Sequence, residues 1–72
     1  MSQENFVIEE LVKELVLRLI DEKHLSMRDA LDAVYNSETY TKILDTRTGL
    51  YSQSTAYVYD YLDNELTSGK LQ

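Results

Sequence analysis

Between residues 6 and 20 the hydrophobic side chains fall at 6, 7, 8, 11, 12, 15, 16, 17, 19 and 20, and positions 8, 11, 12, 15, 16 and 19 trace one stripe at helical spacing. No glycine or proline interrupts residues 5–23. Opposite charges stand four apart from Glu9 to Lys13, Glu14 to Arg18 and Arg18 to Glu22, each pair worth a few tenths of a kcal/mol on an exposed helix face. The pattern predicts a first helix of about 18 residues. Its apolar arc is wide, because Phe6, Val7, Leu17 and Ile20 broaden the stripe beyond what one neighbouring helix covers. Such a helix is either the central element of the fold or the seam of a dimer.

The next segment opens with a cap. Ser26 followed by Asp29 resembles a capping box with aspartate in place of the usual glutamate, which starts a helix of about nine residues with Met27, Ala30, Leu31 and Val34 inside. It should end at Tyr35-Asn36, since asparagine tolerates the left-handed conformation that closes helices. Ser37 can then cap a third short helix over 38–44, with Tyr40, Ile43 and Leu44 as its apolar edge and Glu38 supporting Lys42. Asp45-Thr46-Arg47-Thr48-Gly49 reads as a loop closed by a glycine free to take positive φ. Ser52 or Ser54 can cap a last helix reaching about Leu66. Residues 55–61 also alternate like a strand, but Val58, Tyr61, Leu62 and Leu66 keep helical spacing and a lone strand would have no partner, so helix is the reading.

The result is an all-α chain: a small bundle of three to four helices, the first longest, the middle shaped like a helix-turn-helix. Val12, Leu15, Leu19, Leu31, Ile43, Val58 and Leu62 are the expected core. The 72 residues leave room for one domain, 1–72, with 1–4 and 68–72 fraying. A chain this short has a thin margin of stability and no cysteine to staple it, so tight helical packing or self-association must supply the remainder.

Composition narrows the function. Seven basic against thirteen acidic residues give a net charge of −6, which opposes nonspecific attraction to phosphates or anionic lipid and favours a basic partner. No apolar run nears the length of a membrane span, and the start MSQENFVIEE lacks the basic residue of an export signal, so a cytoplasmic location is expected. Phosphate-binding glycine loops are absent. His24 is the single histidine, at the end of the first helix, where the helix dipole favours a cation. With Asp21, or with Glu10 and Glu14, it could enter a metal site only in a symmetric dimer, because bundle metal sites need two histidine-bearing motifs. A metal-dependent enzyme around His24 is therefore the least favoured reading, and no catalytic, cofactor or metal residue is assigned.

Residues 37–44 invite a second reading as the recognition helix of a DNA-binding regulator. Their chemistry is poor for it: Lys42 stands against Glu38 and Asp45, and even a cluster of Arg28, Lys42 and Arg47 would be three charges on a −6 background. The better surface is aromatic. Of six tyrosines, Tyr51, Tyr57, Tyr59 and Tyr61 crowd the last third, and one helix cannot bury 57, 59 and 61 on one face. Tyr57 and Tyr61 can line one side, leaving Tyr59 on another. These four form the candidate interaction surface, and Tyr59→Ala is expected to spare the fold while weakening association.

The segments LIDEKHLSMRDALDAVYNSETY and TGLYSQSTAYVYDYLDNEL resemble a family of short bacterial helical proteins of unknown function, often encoded beside toxin-like genes. The shared features are the amphipathic first helix, the helix start at Leu25-Ser26 and the Thr48-Gly49 turn before the terminal helix; the tyrosine-rich stretch is a departure. The resemblance implies a compact helical domain without assigned activity and an antitoxin-like or accessory binding role. The sequence thus points to a non-catalytic interaction module that binds a protein partner or itself.

Overall fold

In the computed structural model, which describes residues 3–68, four helices follow one another: α1 (Gln3–Lys23), α2 (Met27–Tyr35), α3 (Glu38–Leu44) and α4 (Thr55–Ser68). Two 3₁₀ turns, Thr46–Thr48 and Leu50–Ser52, join α3 to α4. The fold is an all-α bundle with its longest helix first. Gln3 and Glu4 belong to α1 and Ser68 to α4, while 1–2 and 69–72, also expected to fray, lie outside the described residues.

The second, third and fourth helices start where the sequence placed a hydroxyl. Ser26 accepts from the amide of Asp29 at 3.1 Å, Ser37 from that of Tyr40 at 2.9 Å, and Ser54 from that of Tyr57 at 3.2 Å. Each bond satisfies an amide that the first helical turn leaves without a carbonyl. The left-handed conformation expected at Asn36 occurs instead at His24. Asn36 closes α2 at φ −96°, with its side-chain nitrogen donating to the Asp32 carbonyl at 2.9 Å, while His24 after α1 takes φ +58°. Gly49 adopts φ +70° in the turn predicted for it. Around that turn the Arg47 guanidinium grips both carboxylate oxygens of Asp45 at 2.9 Å, and these bonds hold the Asp45 carboxyl below its usual range.

All six stripe positions of α1, Ile8, Leu11, Val12, Leu15, Val16 and Leu19, are buried. Leu15 and Leu19 meet Val34 of α2, Ile43 of α3 and Val58 and Leu62 of α4 in a core from which water is fully excluded. Leu31 does not join it: α2 turns Ala30 and Val34 inward, leaving Leu31 half-buried and Met27 exposed. On α3 the inward residues are Ile43 and Thr39, with Tyr40 half-buried and Leu44 exposed. The charges of α1 pair as Arg18 with Glu22 at 3.7 Å, but Lys13 reaches Glu10, one position from the Glu9 predicted, also at 3.7 Å.

Candidate functional site

Because α4 packs by the face centred on Leu62, the residues three and four positions before it, Tyr59 and Val58, point inward. Tyr59 is therefore buried, contrary to its assignment to the interaction surface. Tyr59 thus lies on a different side of α4 from Tyr57 and Tyr61, as the spacing requires, and it is the one of the three that faces inward. The ring of Tyr59 fills the seam between α1 and α4, with the Arg18 guanidinium 5.6 Å from its centroid. Beyond it Lys23 of α1 and Asp63 of α4 form an ion pair at 2.7 Å that raises the Lys23 pKa, chiefly through their hydrogen bond. Among the described residues no group bonds the buried Tyr59 hydroxyl. Burial, helped by the nearby Glu22 carboxylate, pushes its phenol pKa up.

Tyr57 and Tyr61 remain on the outside, 52% and 38% exposed, one helical turn apart with ring centroids 6.1 Å from each other. Together with Asp60 and Asn64 they bound a shallow cavity of about 260 Å³. On its other flank the same pair of rings meets Lys42, Thr48, Leu50 and Gln53 in a smaller one of about 110 Å³. Tyr51 is half-buried against the core and belongs to neither. The tyrosine surface expected from sequence thus reduces to two rings, rimmed by one acid and one amide on one side and by a lysine on the other.

A second surface lies between α1 and α2. Val12, Val16 and Leu31 floor a groove of about 240 Å³, with Leu17, Met27 and Tyr35 exposed along it and Glu9 and Lys13 at one edge. Tyr35 is steadied by an edge-on contact with Tyr40, at 4.9 Å between centroids. In the sequence this surface shows only as the excess width of the first helix's apolar arc.

One polar site was not foreseen. Glu65 of α4 is buried, and its carboxylate reaches the start of α3: Oε2 accepts from the Glu38 amide at 2.7 Å, and Oε1 accepts from the amide and hydroxyl of Thr39 at 3.0 and 2.7 Å. An anion at a helix N-terminus also meets the positive end of the helix dipole. Burial pushes the carboxyl pKa up, but these hydrogen bonds outweigh it and hold Glu65 below its ordinary value. With the Tyr40 amide bonded to Ser37, all three first-turn amides at this end of α3 are engaged from within the molecule. A signal was present, since Glu65 keeps the spacing of Val58 and Leu62 on the inner face, yet an acid at a core position reads as solvated until its partner is visible.

His24 is exposed at the end of α1, and among the described residues no three of His, Asp and Glu converge on a point where they could share a metal ion. Likewise, no helix among them is long and apolar enough to cross a membrane. No protein-family model, curated protein or solved structure matches the chain, so its fold and surfaces are read from its own residues alone.

Proposed function

We propose that this chain is a non-catalytic protein-interaction module and that Tyr57 and Tyr61 form its contact face. The observation that carries the reading is the pair of half-exposed rings on a rigid helix, over a cavity edged by Asp60 and Asn64. Rings held this way offer large apolar area at small entropic cost, and their hydroxyls tolerate water at the rim, the combination that enriches tyrosine at binding sites. A net charge of −6 suits a partner whose surface places arginine or lysine among apolar residues, with guanidinium groups over the ring faces. The antitoxin-like or accessory role implied by the family resemblance is one form such binding would take.

The alternative as a DNA-binding regulator loses support from Glu65, which puts a carboxylate on the end of α3 where a recognition helix would meet phosphate. The test is capture of partners from the native host with the wild-type chain and with Tyr57→Ala/Tyr61→Ala, after circular dichroism has established equal helix content. Loss of a stoichiometric partner in the double variant supports the assignment. Equal capture by both overturns it, and a salt-dependent DNA shift abolished by Lys42→Glu would favour the regulator instead.

A further inference from the structure

We infer that the groove between α1 and α2 is occupied by a second copy of this chain, paired antiparallel along α1 about a two-fold axis near the level of Leu11. Although this deepens the interaction reading, it uses a different face from Tyr57 and Tyr61. On α1, Phe6, Glu9, Lys13 and Leu17 follow one another three or four residues apart on the outer side, where Phe6 is 59% and Leu17 49% exposed. A two-fold axis between residues 9 and 13 sets Glu9 of each copy level with Lys13 of the other, giving two reciprocal ion pairs once each Lys13 leaves the exposed Glu10 that stands 3.7 Å from it in the single chain. The same register brings Phe6 of one copy to the level of Val16 and Leu17 of the other, at the part of the groove also lined by Met27. No other alignment is needed: one operation satisfies the charges and covers the apolar residues together.

Self-association also answers the thin stability margin of a cysteine-free chain of this length. The −6 charge of each copy opposes approach, but the groove itself is neutral, with one acid and one lysine at its edge, so the repulsion acts through solvent and is screened by salt.

Sedimentation equilibrium of the purified full chain tests this directly. The wild type should show twice the 8.4 kDa chain mass at high micromolar concentration. Phe6→Ala should weaken the dimer by about tenfold or more. Glu9→Lys and Lys13→Glu should each be monomeric, because each sets like charges against one another, and mixing the two single variants should restore a heterodimer in which both ion pairs re-form. All of these side chains are exposed, so the variants keep the monomer fold. A wild-type monomer at millimolar concentration, or single charge variants that dimerise like the wild type, would overturn the proposal. Either result leaves the Tyr57/Tyr61 reading standing, since the capture experiment does not depend on this face.

Discussion

Replacing Glu65 by glutamine keeps the shape of the side chain, removes its charge and turns one acceptor into a donor. If the amide oxygen stays with Thr39, the new NH₂ group faces the Glu38 amide across the 2.7 Å now spanned by a hydrogen bond, a donor against a donor. Loss of one charge-assisted bond with its partner left buried costs about 1.5–3 kcal/mol. Glu65→Ala removes all three bonds and the interaction with the helix dipole, for about 2–4 kcal/mol. Against a total stability of about 4–11 kcal/mol for a domain of this length, either is a large fraction. The assay is urea unfolding followed by helical circular dichroism across a pH series. In the wild type the folded-state carboxyl lies below its ordinary value of 4.5, so its contribution is fully present above that pH and is lost as pH falls through the lowered folded value. Glutamine does not titrate, so the Glu65→Gln curve should be flatter below pH 4.5 and should approach the wild type there. A loss under about 0.5 kcal/mol at neutral pH, or a variant with the wild-type pH slope, would refute the claim that this carboxylate ties α4 to α3.

Five other substitutions probe the packing and the backbone. Tyr59→Ala should cost about 3–5 kcal/mol, reversing the expectation from sequence, while Tyr59→Phe should be neutral or stabilising by up to about 1 kcal/mol, since it deletes a buried hydroxyl that no group among the described residues bonds; thermal melts of both decide it, and marked destabilisation by phenylalanine would reveal a partner for that oxygen. Leu15→Ala, at a fully buried position, should lose about 2–5 kcal/mol in denaturant, whereas Leu17→Ala in monomer conditions should change stability by less than about 0.5 kcal/mol. His24→Gly should raise stability by about 0.5–1 kcal/mol, as glycine takes φ +58° without the strain of a side chain, and a lower melting temperature would contradict this.

The chain's own pattern determined its local structure. Helix starts at Ser26, Ser37 and Ser54 and the turn at Gly49 follow from interactions spanning four residues or fewer, and the stripe that α1 buries follows from the three-and-four spacing of its apolar residues, both of which sequence spacing records directly. Which tyrosine faces water was a different matter. Tyr59 and Tyr61 have the same chemistry and sit two apart, so the choice depended on the angle at which α4 lies against α1, and that angle is set by the summed packing of Leu15, Leu19, Val58 and Leu62. The Glu65 cap joins residues 26 and 27 positions apart, and the α1–α2 groove exists because α2 presents Ala30 and Val34 to the core while Leu31 stays at the rim. Local hydrogen bonding and hydrophobic rhythm are written along the chain; the rotation of one helix against another is a collective minimum of many contacts, and only the folded molecule displays it.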